Sequence, residues 1–295
     1  MPELPDVVIY CEALQSRIVG RVLKHVRVVN PFVLRTFDPP IDTLDDHVVR
    51  GISRAGKRIV IAFDDDLFLV IHLMIAGRLR WRDPGQKPGI GSKMILATLE
   101  FENGTLLFTE AGTKRRASLH VVRGEAAVRA MDRGGIDLFR STRDQFEQAL
   151  VSENHTLKRS LTDPRLFSGI GNAYSDELLH AARLSPLKLT RALSGDEIDR
   201  LFEAARRTLD TWIARLRTET GGAFPEKVTA FHDAMAVHGR FGKPCPVCGA
   251  PVQRIVYAEN ECNYCAICQT EGRLLADRAL SRLLRDAWPK RLDEW

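Results

Sequence analysis

Apolar residues recur at helical spacing over positions 5–18, where Val7, Val8, Cys11, Leu14 and Ile18 fall on one stripe. Pro5 suits the first turn of such a helix and Gly20 its stop. Beyond that point the period shortens to that of strands. Residues 58–63 and 67–73 flank Asp64-Asp65-Asp66 and read as a hairpin. Residues 94–102 and 105–108 flank Asn103-Gly104, the strongest short hairpin signal available. Positions 1–130 therefore predict one helix followed by a β-rich sandwich or barrel. From Asp144 the helical period returns. Leu201, Phe202, Ala205, Leu209, Trp212, Ile213 and Leu216 trace one face of a long helix, as core packing requires. The polar, Gly-containing residues 218–227 predict a flexible loop. An amphipathic stretch over 274–288 predicts a last helix packed on the body.

Composition narrows the class. With 295 residues, 44% of them hydrophobic, the chain is long enough for two domains with cores of their own. The start Met1-Pro2-Glu3-Leu4-Pro5-Asp6 lacks the basic end and apolar run of a signal peptide, and no apolar stretch approaches a membrane span. A cytoplasmic, nucleoid-associated protein with no membrane partner is expected. The net charge of +5 and pI of 9.0 suit a polyanion partner, although many proteins unconnected with nucleic acid carry as much. Lys114-Arg115-Arg116 is a compact basic cluster.

Four of the six cysteines form two pairs, Cys245-Pro-Val-Cys248 and Cys265-Ala-Ile-Cys268, with 16 residues between them. Two such knuckles place four thiolates at the corners of a tetrahedron, the geometry of a structural zinc ion with every position filled. A redox dithiol, the competing reading, needs no second pair. Gly249 permits a tight turn after the second ligand, and Val252, Ile255 and Tyr257 suit a short hairpin. Cys11 and Cys262 are left over, and Cys262 reads as a spectator.

Two further motifs carry chemistry. Ser168-Gly169-Ile170-Gly171-Asn172 enters a helical pattern. Glycines there free backbone N–H groups to approach a phosphate at the positive end of a helix, and Asn172 adds an amide donor. The same glycines also serve a tight turn with no ligand. At the N-terminus, removal of Met1 would expose the secondary amine of Pro2 beside Glu3. A terminal amine has a reference pKa near 8, so a helix start and nearby cations leave a useful neutral fraction at pH 7. Such an amine can attack a sugar C1′ to form an iminium, and the adjacent carboxylate can shuttle the proton. Alone, Met-Pro-Glu is commonplace. Its weight comes from the combination.

That combination resembles the formamidopyrimidine-DNA glycosylase and endonuclease VIII family, and the match in motif order spans nearly the whole chain. The resemblance implies an α+β fold of two domains: an N-terminal β-sandwich with a leading helix, and a helical domain with a helix–two-turns–helix and a four-cysteine zinc finger. The boundaries expected are 1–130 for the catalytic sandwich, 131–150 for a linker, 151–235 for the DNA-binding helices, 236–270 for the finger and 271–295 for a helical extension. It implies a monomeric base-excision-repair glycosylase and AP lyase acting on damaged DNA by β,δ-elimination. Pro2 would be the nucleophile, Glu3 the general acid/base and Lys57 a phosphate-contacting catalytic lysine. His72 and Asn172 would hold phosphates, Ile75 and Arg115 would fill the gap left by the flipped base, and Arg240 would add a cation. Cys245, Cys248, Cys265 and Cys268 would hold zinc.

Several positions depart from the family's pattern. Asp6 replaces a usual glutamate. Ile75 and Ala117 stand where methionine and phenylalanine are expected. Asn260 replaces an arginine that reaches the lesion-flanking phosphate, with Arg254 a possible substitute, and His238 stands where tyrosine is frequent. Ala117 and Asn260 raise the alternative of a non-catalytic DNA-damage or structure-binding protein on the same scaffold.

Overall fold

A computed structural model describes residues 1–112, 114–257, 260–276, 282–284 and 290–292, the side chains of Tyr257 and Asn260 excepted. The chain forms two compact units, Met1–Arg133 with Trp212–Thr229, and Gly134–Thr211 with Ala230–Trp295. Among the described residues, no helix is long and apolar enough to cross a membrane.

The first unit opens with helix α1 (Leu4–Ile18), followed by strands β1 (Leu23–Val28), β2 (Val49–Ala55), β3 (Arg58–Phe63), β4 (Leu67–His72), β5 (Gly77–Arg82), β6 (Ile95–Phe101), β7 (Gly104–Glu110) and β8 (Ser118–Arg123), then helix α2 (Glu125–Ala130). The strands form two antiparallel four-stranded sheets, in the orders β1-β6-β7-β5 and β2-β3-β4-β8. Alternate residues of both sheets meet in one core, with Ile59, Ile61, Leu69, Ile71, Leu119 and Val121 from one and Leu79, Leu99, Leu106 and Phe108 from the other. Val7, Tyr10, Leu14 and Ile18 of α1 join it. Strands β3 and β4 read as nearly unbroken apolar runs because their outer face is also covered, Val60 and Val70 packing with Val128 and Met131.

The second hairpin is displaced by one residue from its expected place. Phe101 pairs with Gly104, so the turn is Glu102-Asn103 and Gly104 opens β7. A Cβ on Gly104 would lie 2.4 Å from the Trp81 ring, which is why glycine stands there.

The second unit contains α3 (Arg143–Val151), α4 (Leu157–Thr162), α5 (Asn172–Ala181) and most of α6 (Gly195–Thr220), then a hairpin of β9 (Gln253–Tyr257) and β10 (Asn260–Tyr264), and α7 (Ala266–Thr270). Helices α4 and α5, joined through the two turns of residues 163–171, are the helix–two-turns–helix. Phe146 packs at 5.2 Å from Phe167 and 5.3 Å from Phe202 to centre this core.

Two boundaries differ from the sequence reading. Residues 134–150 are no linker: Ile136 bridges Phe167, and α3 starts at a Thr142–Gln145 capping box and buries Phe146 and Leu150. Residues 212–229 belong to the first unit, and the loop expected to be flexible is docked there. Phe224 lies 5.8 Å from Tyr10 and 6.5 Å from Trp81, Glu226 pairs with Arg80 at 3.0 Å and with Arg82, and Arg78 Nε donates to the Val228 carbonyl at 2.8 Å. The arginines are the polar face of β5, and one aromatic anchor outweighs the local polarity of the segment. The last helix expected over 274–288 lies mostly outside the described residues.

Candidate active site and metal centre

Helix α1 places the N-terminus. Its cap is Glu3, whose backbone N–H donates to Asp6 Oδ2 at 2.8 Å in a reciprocal capping box. Pro2, Glu3 and Asp6 are buried and Met1 is partly so. Burial lowers the pKa of the terminal amine, Glu3 and Asp6 oppose that, and Arg78 and Lys57 reinforce it. The amine thus sits among two carboxylates and two cations. Lys57 lies in the two-residue Gly56-Lys57 turn between β2 and β3, with Gly56 at φ 61° as a Gly-first hairpin turn requires. Burial lowers its pKa as well, and the charge of Glu3 opposes. His72, at the end of β4, stands directly opposite Arg58 and is brought down to about 4 by burial and then by Arg58, Lys57 and His120. It is therefore neutral near pH 7. Arg78 was not singled out from the sequence, because it reads as an ordinary outward residue of an alternating strand.

Burial pushes Asp6 up to about 7, with Glu3's N–H opposing. Its folded pKa lies above its unfolded value, so this contribution to stability is complete below about pH 4 and lost as pH rises through about 7. Asp6→Asn has nothing to titrate there. The melting temperature of the variant should gain on wild type between pH 5 and pH 8, by on the order of a few kcal/mol of stability. A gap that stays constant over that range would refute the burial argument.

Ile75 sits at the tip of the β4–β5 turn, 58% exposed, with Met74 at φ 52°. Gly77 closes this turn, since a Cβ there would lie 2.3 Å from the Leu73 carbonyl oxygen. Arg115 is exposed and donates to the Lys93 carbonyl. Ala117 is a correction. It is buried in the sandwich core and its N–H donates to the Glu110 carboxylate at 3.2 Å, so it is no loop-tip position from which a stacking residue has been lost.

In the second unit Asn172 begins α5, and its Nδ2 donates to the Glu261 carbonyl of β10 at 2.8 Å. Its own carbonyl accepts from Lys158 Nζ at 2.7 Å. Lys158 also reaches Asp176 Oδ1, while Asp176 Oδ2 lies 2.8 Å from His238 Nδ1 and accepts from Asn263 N at 3.2 Å. Glu177 accepts from the N–H groups of Ala236, Val237 and His238 at 2.7–3.0 Å. This buried network ties the N-terminal half of α5 to the hairpin. Asp176 and Glu177 were not singled out in the sequence, and their adjacency was the available signal.

Arg240 donates to the Asp233 carbonyl at 3.0 Å. Arg254 does not stand in for position 260: the register puts Arg254 on one face of the hairpin with Glu261 and Asn263, and position 260 on the other. It is held by the Phe241 ring at 4.3 Å and by Glu261 at 3.7 Å. The side chain of Asn260 lies outside the described residues.

The Sγ atoms of Cys245, Cys248, Cys265 and Cys268 all lie within 4.8 Å of one another, with cross-knuckle pairs at 3.9 and 3.4 Å. A tetrahedron of thiolates at about 2.3 Å from a central ion has edges of about 3.8 Å, so these four residues could hold one metal ion. His180 Nε2 lies 3.3 Å from Cys245 Sγ and braces that corner from α5.

Comparison with known proteins places this geometry. Residues 1–116 match the family model of the formamidopyrimidine-DNA glycosylase N-terminal domain, and residues 138–221 that of the formamidopyrimidine-DNA glycosylase H2TH domain. An uncharacterized formamidopyrimidine-DNA glycosylase-like protein of Mycobacterium tuberculosis is 37% identical over 151 residues, covering 51% of this chain and 94% of that protein. The chain belongs to the formamidopyrimidine-DNA glycosylase family. The formamidopyrimidine-DNA glycosylase of Desulforamulus reducens is 29% identical over 283 residues, covering 91% of this chain and 99% of the relative. The fold of the family is also that of the Lactococcus lactis Fpg solved with abasic-site DNA, at 24% identity and a TM-score of 0.80, covering 91% of this chain and 99% of that one.

Proposed function

We propose that this family member is a base-excision-repair DNA glycosylase and AP lyase acting on damaged DNA, with Pro2 as nucleophile once Met1 is removed. The single observation that carries the reading is the setting of the chain's start, where Pro2 is buried next to Glu3 and the adjoining Met1 amine feels Glu3, Asp6, Arg78 and Lys57. A Pro2 amine freed in this setting is favoured in its neutral, nucleophilic form by burial and the two cations, against the two carboxylates.

The damaged base is first flipped from the stack, at a cost that lesions reduce. Ile75 at its exposed tip and Arg115 occupy the space left behind. Pro2 nitrogen attacks C1′, the glycosidic bond breaks, and Glu3 delivers the proton that opens the sugar ring. The resulting iminium acidifies the 2′ hydrogen, whose loss expels the 3′ phosphate, and δ-elimination then expels the 5′ phosphate. Lys57, His72, Asn172 and Arg240 hold backbone phosphates, which makes binding salt-dependent. Cys245, Cys248, Cys265 and Cys268 would hold a structural zinc ion, which would supply stability to the hairpin that accepts from Asn172 and no reacting group.

Excision assays on duplex and single-stranded DNA carrying oxidised purines, oxidised pyrimidines or abasic sites test this reading. Base release and a nicked product on at least one lesion are expected. Salt-sensitive binding with no cleavage anywhere on the panel would leave only a damage-binding clamp.

A further inference from the structure

The outer face of the β2-β3-β4-β8 sheet interleaves apolar and polar positions. Ala55, Val60 and Val70 are buried with Val128 and Met131, while Ala55 pairs with Arg58, Arg58 with His72 and Val70 with His120. Arg58, His72 and His120 therefore occupy neighbouring positions of one face on three adjacent strands. The row continues past the sheet edge. Leu34 bridges Leu119 in parallel, the Arg35 N–H donates to the Leu119 carbonyl at 2.9 Å, and the Val121 N–H donates to Thr36 Oγ1 at 2.8 Å. Leu34 and Leu119 face the core, so Arg35 falls beside His120 on the outer side. Phe37 follows two residues further on and, like Arg35, is exposed.

Burial lowers the pKa of His120, and Arg58 and Arg35 lower it further. His72 responds to burial and then to Arg58, Lys57 and His120. Both imidazoles are thus held toward the neutral form, and the cations of the row are Arg58 and Arg35. Asp132 acts on Arg58, whose Nε is buried without a hydrogen-bond partner. A polyanion lying along the row would meet the charge of the arginines and N–H groups of the imidazoles. Phe37 and Phe32 are 83% and 80% exposed, the most exposed large apolar side chains among the described residues. Exposed aromatics near cations and N–H donors are how sequence-tolerant proteins hold single strands, the donors following phosphates and the rings stacking on bases.

We propose that Arg58, His72, His120 and Arg35, with Phe37 and Phe32, form a track for an unpaired DNA strand that continues from the Lys57–His72 phosphate contact. The enzyme then favours lesions flanked by unpaired nucleotides. This rests on the glycosylase reading and extends it to substrate form.

The test uses the full-length protein and the tetrahydrofuran abasic-site analogue in three DNAs: a blunt duplex, and the same duplex with a single-stranded extension on the 5′ or the 3′ side of the lesion strand. Extensions on the order of six nucleotides match the span such surfaces occupy. Fluorescence anisotropy should show one extension binding roughly 5-fold or more tighter than the blunt duplex. Phe32→Ala/Phe37→Ala should abolish that gain and leave blunt-duplex binding and lesion excision at wild-type levels. Arg35→Ala should reduce the slope of log affinity against log salt on the extended DNA by about 0.7. Equal binding of blunt and extended DNA by wild type, or a gain that survives the double phenylalanine variant, would overturn the track while excision of blunt-duplex lesions continues. Failure to bind or cut any lesion DNA would instead overturn the glycosylase reading, and the track with it.

Discussion

Glu3→Gln is expected to lower base excision by roughly 10²–10⁴-fold, the range typical of losing a positioned proton donor. The substitution is sharp because glutamine keeps the length and the acceptor oxygen with which Glu3 caps α1, so the helix start survives. What disappears is the exchangeable proton and the negative charge. That charge raises the pKa of the terminal amine and of Lys57. Its loss leaves the amine more neutral at pH 7, so attack on an abasic site already lacking its base should suffer less than excision. Separate assays on a lesion duplex and on an abasic duplex read the split. Equal losses in both, with the melting temperature unchanged, would assign Glu3 a role in the lyase steps as large as in excision.

Stripping the metal should have the second largest effect. Four thiols within 4.8 Å of one another have little reason to stay together once deprotonated and unliganded. Cys265 also caps α7, its Sγ accepting from Cys268 N, so losing the ion frees both knuckles and the short helix. The hairpin then releases Asn172, whose Nδ2 rests on Glu261, and Gly239, whose N–H rests on Asn263. Treatment with a strong chelator, or Cys265→Ser, should abolish DNA binding in anisotropy measurements. The first unit has a complete sandwich core of its own and should keep its strand signal in circular dichroism. Elemental analysis should return one zinc per chain. Full binding by a metal-free preparation would remove the finger from the account.

How far the sequence revealed these parts depended on the kind of physics involved. Helix α1, the β3–β4 hairpin and α6 were legible because amphipathic period and turn chemistry are local. The cysteine spacing disclosed the four-thiol cluster for the same reason. Long-range packing was not legible. Residues 218–227 read as a flexible loop until Phe224 finds Tyr10 and Trp81 and Glu226 finds the arginines of β5. Gly104 resembles a turn glycine until the Trp81 ring is placed against it. Ala117 reads as a loop residue by its neighbours, although the β8 it precedes carries it into the core. Arg254 looked available to position 260 only because one dimension cannot tell the two faces of a hairpin apart. The network around Asp176 and Glu177 was not legible because, Lys158 apart, their partners lie some 60 residues or more away.

Mass spectrometry of the borohydride-trapped complex between the purified protein and abasic DNA tests the central claim most directly. A single DNA adduct on the amine of Pro2, in molecules lacking Met1, is the expected result, with no adduct when Met1 is retained. An adduct on a lysine side chain such as that of Lys57, persisting in chains that keep Met1, would contradict it.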